Sequence, residues 1–139
     1  ALGRLMGIEA PEAVDPEDPG TPVFRGQLAE SLTVQGLADR LSVALGRSPL
    51  VIGEGDVTSV AWCTGAGQGY IDLAADAGAD VYVTGEVSEQ TAHVALERGI
   101  AFIGAGHHAT ERYGVQAVGS LAAEALGLSH EFIDIDNPA

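Results

Sequence analysis

The chain contains no lysine, and this absence restricts the partners that it can bind. Its six positive residues are all arginine and are opposed by 20 Asp and Glu residues, so the 139 residues carry a formal net charge of -14. Such a chain offers no basic surface that could neutralise the phosphates of DNA or RNA. It is equally unsuited to anionic membrane surfaces. We therefore expect neither a nucleic-acid partner nor a membrane partner.

Cysteine, aromatic residues and long apolar runs are also scarce. The single cysteine, Cys63, excludes an intrachain disulfide framework. No apolar run approaches the roughly 18 residues of a membrane-spanning helix, and we expect a cytoplasmic protein. Aromatic residues make up only 5% of the chain, whereas hydrophobic residues make up 46%. This composition is sufficient for one compact domain with a core of small aliphatic side chains.

The first 30 residues divide into two segments of different character. Apolar residues at helical spacing, followed by Gly7, predict that residues 1–8 are the end of a truncated helix. Residues 9–30 contain four of the six prolines and six acidic residues, which predicts a solvated acidic loop. Residues 31–139 are then expected to form an α/β domain.

From residue 32 onward, segments of strand type alternate with amphipathic segments of helix type. The predicted helices are 34–45, 68–77, 88–98 and 109–126, and the predicted strands are 49–52, 59–63, 80–84, 100–103 and 130–135. This alternation predicts an α/β fold with a mainly parallel sheet and helices on its faces. Because such sheets bind ligands beyond the carboxyl ends of their strands, the motifs at those ends are the candidate sites.

The segment 106–111 follows a predicted strand and opens a predicted helix. His107 and Glu111 are four residues apart and lie on one helical face if the helix has already begun at His107. An imidazole and a carboxylate at this spacing can share one divalent metal ion. Helix capping by Thr110 and Glu111, beside surface histidines, explains the same residues without a ligand. Two donors do not complete a metal site, so further ligands would have to come from elsewhere.

Two other strand ends carry weaker signals. Glu86 follows Gly85 directly after a strand, where its carboxylate would face a pocket. The Gly-rich turn at 63–70 suggests dinucleotide binding, but Tyr70 stands where the fingerprint requires glycine. Two interpretations of that segment remain: a tight turn alone, and a tight turn that binds a small substrate.

Four segments match one known family in their order and spacing. They are Val60–Gly65, Tyr82–Thr91, Ala105–Arg112 and Phe132–Pro138. Together they resemble the GTP cyclohydrolase 1 type 2 homologue family, also called the Nif-three-like family, and most of all its bacterial YbgI-type branch. The resemblance covers about residues 1–8 and 32–139, whereas the acidic, proline-rich stretch matches only loosely.

The resemblance implies a Nif-three-like fold, a toroidal homohexamer and two divalent metal ions in each complete subunit. By position, it implies His107 and Glu111 as metal ligands, and these donors do not distinguish Zn, Mn, Fe or Ni. Gly85, Glu86 and His108 are candidates for the substrate pocket. His108 stands where the family usually has another residue, so the resemblance implies no ligand role for it.

The family's other metal ligands, a His–His pair and an Asp, lie in an N-terminal half that nothing in this chain matches. The chain is therefore expected to correspond to the C-terminal half and to carry part of the site. The implied function is metal-dependent hydrolysis of a nucleotide-like substrate, and the family name implies opening of the GTP ring. A non-catalytic or regulatory metal-binding hexamer and an inactive fragment are the alternatives.

Overall fold

A computed structural model describes residues 1–135 and 137 of the chain. In this part, the helices are α1 (Leu2–Met6), α2 (Val34–Leu45), α3 (Ile71–Asp76), α4 (Glu89–Arg98) and α5 (His107–Leu126), with a 3-10 turn at Gln68–Tyr70. The strands are β1 (Glu12–Ala13), β2 (Phe24–Thr33), β3 (Leu50–Ile52), β4 (Asp56–Trp62), β5 (Val81–Thr84) and β6 (Ala101–Gly104). None of the helices in this part combines the length and the apolar character needed to cross a bilayer.

The described strands form one mixed sheet in the order β1-β2-β4-β5-β6-β3. The neighbours β4, β5 and β6 run parallel. The pairs β1–β2, β2–β4 and β3–β6 are antiparallel. The α/β class is therefore confirmed, but the prediction of a mainly parallel sheet is wrong, because only two of the five strand pairs among the described residues are parallel.

The connections explain why the alternation of helix and strand was misleading. Helix α2 joins β2 to β3, yet β3 lies on the far edge of the sheet and pairs with β6. The short loop 53–55 then returns the chain to β4, and Gly53 passes close to Ala101 on the way. A Cβ on Gly53 would lie 3.2 Å from the Ala101 Cα. Strand β3 is thus a neighbour of neither β2 nor β4, although it lies between them in sequence.

Helices cover both faces of the sheet, as the sequence predicted. On one face, α1 and α2 pack on the sheet through Met6, Leu37 and Leu41, with the beginning of α5 beside them. On the other face, α3 and α4 pack around Tyr82 and Phe102. Helix α2 has the predicted bounds because the Thr33 side chain accepts a hydrogen bond from the Gly36 N–H and Gly46 adopts the left-handed conformation after the last turn.

Two predicted segments differ in the structure. Residues 9–30 contain β1 and most of β2, so they are not wholly a loop, and Val23 between the strands is fully buried. The segment 130–135 is not a strand: it lies beside the start of α5, where Asp134 pairs with Arg112. An alternating pattern becomes a strand only when a sheet edge is available to it. Asp136, Pro138 and Ala139 lie outside the described residues.

Candidate metal half-site

The candidate site lies where the three parallel strands end. The chain leaves β4, β5 and β6 at the same edge of the sheet, and backbone hydrogen bonds join the three following loops. The N–H groups of Gly85 and Glu86 both donate to the Gly65 carbonyl, at 3.0 and 3.1 Å. The Gly106 N–H donates to the Gly85 carbonyl at 2.9 Å. These bonds fix the position from which α5 begins, and therefore the position of His107.

The imidazole of His107 lies between two carboxylates. Its Nδ1 is 2.7 Å from Oε1 of Glu86, and its Nε2 is 3.0 Å from Oε2 of Glu111. Glu111 is one turn further along α5, as the four-residue spacing predicted, whereas Glu86 comes from the loop after β5. The structure thus brings together three residues that sequence analysis took from two separate motifs.

Two glycines allow this close approach. Gly65 has a φ of +64°, and a Cβ there would lie 2.8 Å from the Glu111 Cδ. At Gly85, a Cβ would lie 2.6 Å from the Gly65 carbonyl oxygen and 2.7 Å from the His107 Cα. Gly85, predicted as a pocket residue, therefore lies beneath the histidine and is packed against backbone atoms. Its effect on the site is to let the loops and α5 come together.

An open cavity of about 410 Å³ borders the carboxylate–imidazole cluster. It is lined by Glu86, His107, His108, Glu111, Arg112, Val115, Phe132 and Asn137. His108 reaches this cavity but belongs to a different set of contacts, because its Nε2 lies 3.1 Å from Oδ1 of Asp134. Three of the predicted residues therefore form the cluster, Gly85 supports it and His108 flanks it.

Sequence analysis missed the polar residues that hold the cluster in place. The Gln68 Nε2 donates to Glu86 at 3.2 Å. The buried Thr110 hydroxyl accepts from the Gly65 N–H at 3.0 Å and donates to the Gly106 carbonyl at 2.9 Å. Thr110 was considered only as a capping residue, and glutamine carries no distinctive motif, so no signal in a single sequence pointed to these supporting contacts. Burial raises the pKa of the neighbouring Cys63 thiol, as expected for an inert core cysteine.

The two carboxylates change the protonation of the site. The hydrogen bond with Glu86 is the largest cause that raises the pKa of His107 above its ordinary value of 6.5, and Glu111 adds to it. The same hydrogen bond lowers the pKa of Glu86 below its ordinary value of 4.5. The charged pair therefore stabilises the fold fully between pH 4.5 and 6.5. This contribution is lost as the pH rises through the raised pKa of His107, or falls through the lowered pKa of Glu86.

We expect Glu86→Gln to lower the pKa of His107 towards 6.5, because the strongest stabiliser of the imidazolium is removed. A proton NMR titration of the imidazole signals measures this directly. Glu89→Gln is the matched control, since Glu89 lies near His93 on α4 and is not among the groups that raise the pKa of His107. A His107 titration that is the same in wild type and Glu86→Gln would contradict the assignment of this hydrogen bond.

The cluster fits part of a metal site but not a whole one. With metal–donor distances of about 2.1 Å, two donors of one ion lie at most about 4.2 Å apart, and Nε2 and Oε2 satisfy this limit at 3.0 Å. Glu86 on the other ring nitrogen is placed as carboxylates that orient metal-binding histidines are placed. Among residues 1–135 and 137, however, no group of three or more His, Cys, Asp or Glu side chains is arranged to hold a metal ion.

Fold and site together define an α/β protein with a carboxylate–imidazole–carboxylate cluster beyond three parallel strands. The sequence profile of the Duf34/NIF3 (NGG1p interacting factor 3) family matches residues 1–138. The chain belongs to that family. This confirms the family that the four sequence motifs resembled.

Known proteins of this kind are similar over almost the whole chain. A Pseudomonas aeruginosa protein named GTP cyclohydrolase 1 type 2 homolog is 50% identical over 139 residues, which are 99% of this chain and 55% of that protein. A Haemophilus influenzae protein of the same name is 46% identical over 141 residues, which are 99% of this chain and 56% of that protein. The chain thus spans about half the length of the curated relatives it matches.

Solved structures also match almost the whole of this chain over about half of their own length. Protein ybgI, described as of unknown function, superposes with a TM-score of 0.90 at 44% identity and covers 99% of this chain and 55% of its own. The Thermus thermophilus protein TTHA1606 superposes with a TM-score of 0.83 at 31% identity. The match covers 99% of this chain and 54% of TTHA1606. The predicted Nif-three-like fold is therefore confirmed.

Proposed function

We propose that this chain supplies one half of the metal centre of a metal-dependent hydrolase, with His107 and Glu111 as its metal ligands. The observation that carries the proposal is the position of the His107 ring, whose two nitrogens face Glu86 and Glu111 at 2.7 and 3.0 Å. Because an ionised carboxylate can only accept a hydrogen bond, these two contacts favour the form of His107 with a proton on each ring nitrogen, in line with its raised pKa. The proton between Nε2 and Glu111 occupies the place where a shared cation would bind.

Glu86 is proposed as a positioning residue. Its carboxylate accepts from Nδ1–H and so leaves the lone pair of a neutral His107 on Nε2, on the side of Glu111. Gln68 in turn donates to Glu86 and limits its rotation. The side chain of His107 is 38% exposed, so an ion can reach Nε2 from the open cavity. A histidine held in this way is ready to bind a metal without first changing rotamer.

A bound divalent ion would make its water a nucleophile near neutral pH. The chain's own residues would hold the ion and border the cavity in which a substrate lies. We propose a nucleotide-like substrate, and opening of the GTP ring is the specific reaction that the names of the curated relatives suggest. A cavity of about 410 Å³ is within the range of small-molecule sites.

The remaining donors are proposed to come from the part of the longer relatives that this chain does not match. Helix α5 supports this idea, because Val115, Val118 and Leu121 are 61–67% exposed on it. Val115 also lines the cavity beside His107 and Glu111. An apolar helix face of this kind is unusual on a protein surface and favours a packing partner. A segment packed there would lie next to the incomplete site.

Metal content tests the proposal most directly. Native mass spectrometry with elemental analysis should find two metal ions per subunit in a version extended to the full length of its relatives. In this chain alone, it should find fewer ions, because residues 1–135 and 137 hold no group of three donors. Absence of metal from both proteins would show that His107 and Glu111 are not metal ligands, and the hydrolase proposal would have to be abandoned.

Self-association is proposed on the strength of the family resemblance, which implies a homohexamer. The same mass spectra report the number of subunits. A net charge of -14 on each copy opposes assembly, so added salt should strengthen it by screening the repulsion. An assembly whose size does not change with salt would contradict this expectation.

Metal binding without turnover is the second candidate function. The absence of a third donor among the described residues favours it, since two ligands leave an ion weakly held. A GTP turnover assay on the extended, metal-loaded version separates the two functions. Product formation that disappears on chelation supports the hydrolase, whereas full metal occupancy without product supports the binding role.

A further inference from the structure

A second cavity lies on the other side of His108. It has a volume of about 640 Å³ and separates the loop after α2 from the first turns of α5. Its polar lining consists of Arg47, Ser48, His108, Arg112, Asp134 and Asn137. It shares His108, Arg112 and Asn137 with the cavity beside the metal half-site, but His107 and Glu111 do not line it.

Positive charge is concentrated at this cavity in an otherwise acidic chain. The protein has six arginines against 20 acidic residues, yet Arg47 and Arg112 both line this one space. Among the described residues of its lining, Asp134 is the only acid. The general solubility of the chain does not explain why two of its six arginines lie at one cavity.

One guanidinium group is anchored by a backbone carbonyl, and the other lies against the start of α5. Arg112 donates from Nη2 to the Leu45 carbonyl at 2.8 Å, and its side chain is only 19% exposed. Arg47 lies against Gly106 at the start of α5, where a Cβ would be 2.7 Å from the Arg47 Cζ. Helix α5 has no side-chain cap at this end, so the positive end of its dipole faces the same region.

An anionic group already occupies part of the cavity. The Asp134 carboxylate accepts from Arg112 Nη1 at 2.7 Å through Oδ2 and lies 3.1 Å from His108 Nε2 through Oδ1. The segment that carries it has no regular secondary structure, and its Ile133 and Ile135 side chains are each 74% exposed. These two apolar side chains therefore gain little from the position of the segment.

We propose that this cavity binds the phosphate group of a small molecule through Arg47, His108 and Arg112, and that Asp134 occupies the same position when no phosphate is bound. Two guanidinium groups, an imidazole N–H and an uncapped helix end form a donor set that suits a tetrahedral dianion. A carboxylate offers two oxygens to these donors, and a phosphate offers more. The proposal requires no metal ion and can hold or fail independently of the hydrolase proposal.

Isothermal titration of this chain with inorganic phosphate, in chelator and at low chloride, tests the proposal. Asp134→Asn should tighten phosphate binding at least about tenfold, because it removes the internal competitor and a charge next to the phosphate. Arg47→Met, in the Asp134→Asn background, should weaken binding about 10- to 100-fold. Arg98→Met is the matched control and should leave binding unchanged, since Arg98 pairs with Asp72 and Asp76 away from the cavity.

A nucleoside monophosphate measured alongside distinguishes the two sources of a phosphate group. Affinity at least about tenfold above that of inorganic phosphate would assign the site to a nucleotide, and equal affinity would assign it to free phosphate. The proposal is overturned if Asp134→Asn does not tighten phosphate binding while circular dichroism shows an intact fold. It is also overturned if Arg47→Met and Arg98→Met have the same effect.

Discussion

His107→Ala is expected to lower the affinity for zinc or manganese by at least about 100-fold, since removing a residue that only orients a ligand already costs about 10- to 100-fold. The variant removes Nε2, which lies 3.0 Å from Glu111, and leaves a lone carboxylate. The fold should remain intact, because the His107 side chain is partly exposed and contributes little to the core. Metal titration of the extended version, followed by elemental analysis, measures the effect.

Two companion variants show whether the loss of metal affinity is specific to the His107 side chain. Glu86→Gln keeps both proposed ligands and should reduce metal affinity by about 10- to 100-fold, as expected for a positioning residue. His93→Ala removes another imidazole, whose Nε2 is 4.0 Å from Glu89 on an exposed face of α4, and should change nothing. If His107→Ala and His93→Ala retain the same metal stoichiometry, the assignment of His107 as a ligand is wrong.

Gly85→Ala is expected to destabilise the protein by about 1–3 kcal/mol, the usual cost of forcing a methyl group into a packed interior. The new Cβ would lie 2.6 Å from the Gly65 carbonyl oxygen and 2.7 Å from the His107 Cα. Both are backbone atoms and cannot rotate away, so the loop after β4 and the start of α5 must separate. Metal affinity should fall together with stability, because this separation moves His107.

Gly114→Ala provides the matched control for Gly85→Ala. Gly114 lies within α5, and a Cβ there would meet no atom within 4 Å. Alanine should therefore stabilise the helix by about 0.4–1 kcal/mol and leave metal binding unchanged. Chemical denaturation of both variants, followed by circular dichroism, gives the free energies of unfolding. A Gly85→Ala protein as stable as wild type would contradict the close packing described at this position.

Local structure was largely predictable from the sequence. The α2 helix has the predicted bounds, and α4 begins after Ser88, whose side chain accepts from the Thr91 N–H in a capping box. These features depend on residues a few positions apart, so their signals are contained in short segments. The pair His107 and Glu111 was predictable for the same reason, because four-residue spacing in a helix places two side chains on one face.

Long-range pairing was not predictable in the same way. The pattern of β3 does not reveal that it joins the outer edge beside β6, and the alternation at 130–135 did not become a strand. The apolar face of α5 supported the prediction of a helix, yet Val115, Val118 and Leu121 remain exposed. Periodicity identifies the type of element, but it does not identify what covers each face.

The sequence by itself determined the class of the fold, the spacing that places His107 and Glu111 on one helical face, and the excess of acidic over basic residues, because composition and short-range spacing decide these properties. Only the tertiary structure decided that Glu86 lies against His107, 21 residues away, and that Arg47 and Arg112 share one cavity. Both arrangements depend on which strands are neighbours and on close contacts at Gly65, Gly85 and Gly106. Such contacts form between segments far apart in the chain, and no local pattern records them.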